Sequence, residues 1–108
     1  MTDSPKESDW KAFRDIVPEL HERYLRRRNA ELVALLGDDS LSPTEQFWNV
    51  EERTREIAKI LRACLDGHSR SRMFGYMVLM HGYDMLTDLD LERFSQELRE
   101  KIQYATGL

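Results

Sequence analysis

The sequence predicts an all-α protein, an antiparallel bundle of four main helices with a short extra helix as an alternative at its N-terminus. Apolar residues recur every three or four positions along most of the chain, helix-capping residues precede these stretches, and alternating strand patterns are nearly absent. A chain of 108 residues has enough apolar surface for one hydrophobic core. We therefore expect a single helical domain over residues 9–108 that follows a disordered tail of residues 1–8.

The first helical stretch is interrupted by a proline. Asp9 is placed to cap a helix that carries apolar residues on one side, and Pro18 follows after about two turns. Proline suits the first turn of a helix and disfavours helical geometry in the residue before it. The pattern predicts either a short helix followed by a long one or a single kinked helix, with the long part ending near Leu36 before Gly37.

The second helix has the clearest start in the sequence. Ser42 and Glu45 have the spacing of a capping box, and Pro43 occupies the first helical position between them. Asp66-Gly67 ends the stretch. An apolar seam spaced by three and four residues is expected to pack against a neighbouring helix, and it consists of Phe47, Val50, Thr54, Ile57, Leu61 and Cys64.

The last two helices follow after short connections. A third helix is predicted from Ser69 to His81, and it is apolar on nearly every side. The final helix opens with Thr87 and Asp90, which form a capping pair, and it ends at Gly107. Ser95 is placed to break this stretch, so its first turn is expected to be separate from the rest.

Composition restricts the classes of function. The net charge of −4 disfavours nucleic acid and anionic membranes as partners, because phosphate affinity comes mainly from clustered Lys and Arg. Cys64 is the only cysteine, so an intrachain disulfide is excluded and a reducing compartment is expected. Residues 1–8 lack the apolar segment of a signal peptide. We therefore expect a cytoplasmic protein with no membrane contact.

The methionine-rich third helix is the main candidate for an interaction site. Met73, Met77 and Met80 follow helical spacing on one face, and flexible thioethers either fill a core or form an adaptable binding surface. A strip of small residues beside them, which includes Gly75, favours close packing of another helix. The leading hypothesis is a non-enzymatic interaction or regulatory module that forms a homodimer through Met73, Gly75, Met77 and Met80.

The alternative hypothesis is an anion-binding or nucleic-acid-associated protein with a basic surface on the second and third helices. The first helix also contains a basic run, but glutamates four residues away largely neutralise it, among them Glu19 before Arg23. The alternative requires the remaining basic residues to converge into one surface. Its candidate residues are Arg55, Lys59, Arg62, His68, Arg70 and Arg72.

Enzymatic and metal-binding motifs are not found. Cys64 and His68 have the spacing of two ligands, but a structural zinc site needs four. A small enzyme that uses His68 would need a pocket at the start of the third helix and a nearby carboxylate, for which Asp66 is the local candidate. Cys64 lies on the apolar seam, and His81 is expected to be a partly buried histidine with one hydrogen-bond partner. We expect no catalytic residue, metal or cofactor.

Overall fold

The computed structural model describes residues 5–107, which are mostly helical and contain no strand. The all-α class is therefore confirmed. Residues 1–4 of the predicted tail lie outside the described residues, whereas Glu7 and Ser8 already belong to the first helix. The helices are α1 (Glu7–Leu36), α2 (Pro43–Leu65), α3 (Met73–Gly82) and α4 (Gln96–Gly107), and the short 3₁₀ turns Arg70–Arg72 and Asp90–Arg93 lie before α3 and α4.

α1 is one continuous helix of 30 residues with Pro18 inside it, so the alternative of a separate short helix is wrong. Pro18 is exposed, and the hydrogen bond that it lacks would have gone to the carbonyl of Arg14, which is exposed on the same side. Ile16 and Leu20 on either side of the proline are completely buried. We attribute the continuity of the helix to the packing of these two neighbours.

α2 begins as the sequence predicts, but only part of its predicted apolar seam is buried. The Ser42 hydroxyl accepts a hydrogen bond from the Glu45 N–H at 3.1 Å, and the Glu45 carboxylate accepts one from the Ser42 N–H at 2.9 Å. Ile57 and Cys64 are buried, whereas Phe47 is 57% exposed. The difference follows from length, because α3 and α4 have 10 and 12 residues and cannot cover the 23 residues of α2.

The first two helices form a long antiparallel hairpin. Near its far end Arg53 of α2 donates a hydrogen bond to Glu31 of α1 at 2.5 Å, and near the other end Phe13 contacts His68, just beyond α2. The molecule measures 55 × 26 × 24 Å, so it is more extended than a bundle of four equal helices. The predicted antiparallel four-helix bundle is therefore not confirmed, because α3 and α4 cover only one end of the hairpin.

The hydrophobic core lies at that covered end. No residue of the hairpin between positions 25 and 56 is buried, so the core uses only the first half of α1 and the second half of α2. Methionine supplies four of the core side chains, which fits the irregular space between helices of unequal length. The core consists of Phe13, Ile16, Leu20, Tyr24, Ile57, Cys64, Met73, Met77, Met80, Met85, Leu86, Leu91, Phe94 and Ile102.

A buried carboxylate attaches α4 to the start of α1. Asp9 does not cap α1, as the sequence suggested, but lies inside it and is 4% exposed. Its two oxygens accept hydrogen bonds from the backbone N–H of Ser95 at 2.8 Å and from the Ser95 hydroxyl at 2.7 Å. The same hydroxyl accepts the N–H of Leu98 and so caps α4, which confirms the predicted break at Ser95.

A second buried carboxylate attaches the segment between α3 and α4 to the middle of α1. Arg23 donates to both oxygens of Asp90, at 3.1 and 2.5 Å, and also to the carbonyl of Met85 at 3.1 Å. Thr87 and Asp90 form the predicted capping pair. Burial by itself would raise the pKa of the Asp90 carboxyl, but the hydrogen bonds from Arg23 and Thr87 outweigh it and hold that pKa below its usual value.

The ion pairs of α1 differ from those that its sequence suggests. Glu19 forms its ion pair not with Arg23 four residues later but with Arg93, which donates two hydrogen bonds to it at 3.0 and 3.1 Å. Glu31 likewise pairs with Arg53 of α2. Glu31 also pairs with Arg28 of α1 at 3.1 Å, so partners that are distant in sequence are added to an intrahelical one.

Replacing Asp90 with Asn should lower the free energy of unfolding at pH 7 by roughly 2 kcal/mol, because the Arg23 guanidinium loses its charged acceptor. A carboxyl whose native pKa is lowered stabilises the fold above its unfolded pKa of about 4 and loses that effect as the pH falls through its native pKa. The difference between the two proteins should therefore shrink in acid, as measured by urea unfolding at several pH values.

Arg93→Ala provides the control for this prediction. It removes the exposed pair with Glu19, which also joins α1 to residues 90–93, and should lower the free energy of unfolding much less than Asp90→Asn does. An equal decrease in the free energy of unfolding from the two substitutions would contradict the role assigned to Asp90.

Candidate interaction surface

The methionines of α3 face the interior of the chain. Met73, Met77 and Met80 are at most 1% exposed, and they pack in the core with residues of the other helices. They therefore have no surface to offer to a second molecule in this structure. The expectation that they form an interface is replaced by the other explanation of such a stripe, which is the filling of an irregular core.

The opposite side of α3 is apolar and exposed. Phe74, Leu79 and Tyr83 are 44%, 40% and 45% exposed, although α3 itself contains no Asp, Glu, Lys or Arg. A helix that is apolar on every side is normally covered on every side. We call this side the α3 outer face, and it consists of Phe74, Gly75, Val78, Leu79, Gly82 and Tyr83. Val78 is half-buried against the core, and Tyr83 directly follows the last residue of α3.

Two glycines lie along the middle of the α3 outer face. Gly75 and Gly82 are seven residues apart, which is close to two helical turns, so both are on the same side of the helix. A Cβ atom added at either position would meet no atom of the described chain within 4 Å. The packing of this chain therefore does not require a glycine at either position, although glycine inside a helix is unfavourable.

Phe74 also lies at the edge of the α3 outer face, where two depressions meet. One, of about 560 Å³, extends towards Lys6 and Asp9 at the start of α1, and the other, of about 520 Å³, runs along α4 to Tyr104. Tyr104 is 72% exposed. The apolar surface of α3 thus continues onto α4.

Two of the six basic candidates form ion pairs within the chain. Arg55 is paired with Glu51 of its own helix, ten residues before the end of α2. Arg70 instead donates to Glu7 at the start of α1 at 2.5 Å, and to the carbonyl of Pro5. The other exposed candidates make no ion pair within 4 Å among the described residues, and they are Lys59, Arg62 and Arg72.

His68 has a packing role. Its ring lies between those of Phe13 and Tyr76, with centroid distances of 5.0 and 4.6 Å. Its Nε2 atom lies 2.7 Å from the carbonyl oxygen of Cys64. Within residues 5–107 no carboxylate is hydrogen-bonded to His68, and the Asp66 backbone carbonyl accepts the Tyr76 hydroxyl instead. The described contacts of His68 are therefore packing contacts within the fold.

His81 joins α3 to the end of α4. Its Nδ1 atom lies 2.5 Å from the Thr106 hydroxyl, which in turn lies 2.9 Å from the carbonyl oxygen of Ile102. Its Nε2 atom lies 2.8 Å from Asp88, so His81 has two partners rather than the one expected. The hydrogen bond from His81 also holds the pKa of the Asp88 carboxyl below its usual value.

Comparisons with known proteins give no family for this chain. No family model matches it, and no curated protein or solved structure matches it either. No group of three His, Cys, Asp or Glu side chains placed to hold a metal ion occurs within residues 5–107. Of the helices in that range, none has both the length and the apolar character needed to cross a membrane. The exposed surface of α3 is therefore the main guide to function.

Replacing Gly75 with Ala should raise the free energy of unfolding of the monomer by about 0.5–1 kcal/mol, because alanine restricts the unfolded chain and meets open space in the fold. The measurement is thermal unfolding at low protein concentration, where association contributes least. Gly67→Ala is the control and should be destabilising, because Gly67 has a φ of 74° and lies against the Tyr76 hydroxyl. A loss of stability from Gly75→Ala would show that other atoms of the chain occupy the space of the added Cβ atom.

The Cys64 thiol should react slowly in the folded protein. It is completely buried, and burial raises its pKa to about 11. At pH 8 this lowers the thiolate fraction roughly a hundredfold relative to an ordinary cysteine. Labelling with a chromogenic disulfide reagent should be at least that much slower in buffer than in denaturant, and rapid labelling of the folded protein would contradict the placement of Cys64 in the core.

Proposed function

We propose that this chain is a small non-enzymatic interaction module that forms a homodimer through the α3 outer face. The proposal keeps the self-association expected from the sequence and moves it to the side of α3 opposite the methionines. Gly75 is the one predicted interface residue that is exposed there. At the core end, α3 and α4 would continue the antiparallel order of α1 and α2.

One observation carries this proposal. α3 has no Asp, Glu, Lys or Arg, yet only the methionine side is fully buried by the chain itself. Exposed apolar residues that are grouped on one surface usually mark a place where another molecule binds. Single exposed apolar residues need no such explanation, but here Phe74, Leu79 and Tyr83 surround the two glycines of one short helix.

The glycines favour a second copy as the molecule that covers this face. In a two-fold symmetric dimer the same surface of each chain meets itself. Because Gly75 and Gly82 lack side chains, two α3 helices can cross with their backbones close together. The apolar side chains on both sides of the glycines would then pack against those of the partner, and no buried charge would be left without a partner.

The groups that an enzyme would use support the non-enzymatic part of the proposal. Cys64 is enclosed in the core with a raised pKa, and His68 packs between two aromatic rings. Both ring nitrogens of His81 are hydrogen-bonded within the fold. These groups therefore serve the structure of the chain.

The dimer should be detected by light scattering across a concentration series, and it should persist in about 1 M salt because its contacts are apolar. Gly75→Leu and Leu79→Lys should each raise the dissociation constant at least about tenfold, the first by separating the helices and the second by burying a charge.

Leu89→Ser is the control for these variants, since Leu89 is 73% exposed and lies outside the α3 outer face. It should leave the dissociation constant unchanged. A protein that is monomeric at every concentration, or a dimer that neither α3 variant weakens, would reject the proposal.

A further inference from the structure

The far end of the α1–α2 hairpin differs in charge from the rest of the chain. Residues 29–52, which we call the hairpin tip, contain six acidic residues and no Lys or Arg. The rest of the chain contains all 16 basic residues and 14 acidic ones, so its net charge is positive. The negative charge of the protein is therefore concentrated at one end of a molecule that is 55 Å long.

The hairpin tip also exposes large apolar side chains. Val33 and Leu36, near the end of α1, are 71% and 57% exposed. Phe47 and Trp48, in the second turn of α2, are 57% and 58% exposed, and their rings meet edge to face with centroids 4.9 Å apart. These four residues lie close to the loop that joins the two helices, and no residue of the hairpin tip is buried.

Part of the acidic charge is available for a partner. Glu31 and Glu51 are paired with arginines that lie just outside the hairpin tip. Asp39 and Glu52 are exposed and form no ion pair within the described part of the chain. Hydrogen bonds from Ser40 hold the pKa of the Asp38 carboxyl below its usual value, so its charge is also kept at neutral pH.

We propose that the hairpin tip binds a basic amphipathic segment of another protein. The partner's lysines or arginines would face the free carboxylates, while its apolar side chains cover Leu36, Phe47 and Trp48. Nucleic acids and anionic membranes do not fit, because their phosphates would be repelled by the unpaired carboxylates of the hairpin tip, which contains no Lys or Arg. A second copy in a tip-to-tip arrangement would be repelled in the same way.

This site is separate from the proposed dimer contact. The α3 outer face belongs to the core end of the molecule, whereas the hairpin tip extends beyond the core. Loss of dimerisation would therefore leave peptide binding in place, and the reverse also holds. The two proposals can fail independently.

The test uses Trp48 as the reporter, in the full chain with Trp10→Phe so that a single tryptophan is left. The probe is a synthetic amphipathic peptide of Leu and Lys. We expect a saturable blue shift of the Trp48 emission as the peptide is added. Phe47→Ser should weaken binding at least about tenfold, as expected for an aromatic contact at the centre of an interface. Leu89→Ser, the matched control at the core end, should leave it unchanged.

The charge contribution is tested separately. Asp39→Asn together with Glu52→Gln should weaken binding roughly two- to thirty-fold and reduce its salt dependence, since each exposed ion pair contributes a small amount. A control peptide with Ser in place of Leu should bind at least about tenfold more weakly than the probe.

Four results would overturn the proposal. The first is an unchanged emission throughout the titration, and the second is an equal loss of affinity in Leu89→Ser and Phe47→Ser. The third is equal affinity for the two peptides, which would reduce the interaction to charge alone. The fourth is a shift of the Trp48 emission with protein concentration in the absence of peptide, which would assign the hairpin tip to a second copy.

Discussion

Arg23 extends from the middle of α1 to Asp90 and to the carbonyl of Met85, and these hydrogen bonds fix the connection between α3 and α4. The two helices on either side of that connection have only 10 and 12 residues, a length at which an isolated helix is marginal in water. Their position therefore depends on α1. Because Asp9 holds Ser95 from the same helix, α1 acts as the support on which the C-terminal part of the chain folds.

Local signals predicted several capping contacts correctly, because capping depends on residues that are close in sequence. They misplaced the start of α1 at Asp9 and the start of α3 at Ser69. The pair Ser42 and Glu45, the pair Thr87 and Asp90, and the break at Ser95 are all found in the structure. In each case a side chain satisfies a backbone N–H within three residues. Such contacts need no knowledge of the tertiary structure.

The sequence predicted contacts less well where a residue can pair with either a near or a distant partner. Arg23 has a glutamate four residues before it, yet pairs with a buried aspartate 67 residues away. Pro18 suggested an interruption that the packing of α1 overrides. On α3 the periodicity located two apolar sides but could not show which one faces inward. The exposed face of α3 and the charge difference between the two ends depend on the length of the hairpin, which the sequence pattern did not show.

The unequal lengths of the helices give the molecule two levels of stability. From position 25 to position 56 the hairpin has no buried residue, so its turns are held by backbone hydrogen bonds, caps and surface ion pairs such as Arg53 with Glu31. These turns can open and close without disturbing the core, and their amide protons are expected to exchange with solvent much faster than those around Ile16 or Met77. A partner that binds the far end of the hairpin would therefore reduce local unfolding there, while the global unfolding of the core would remain almost unchanged.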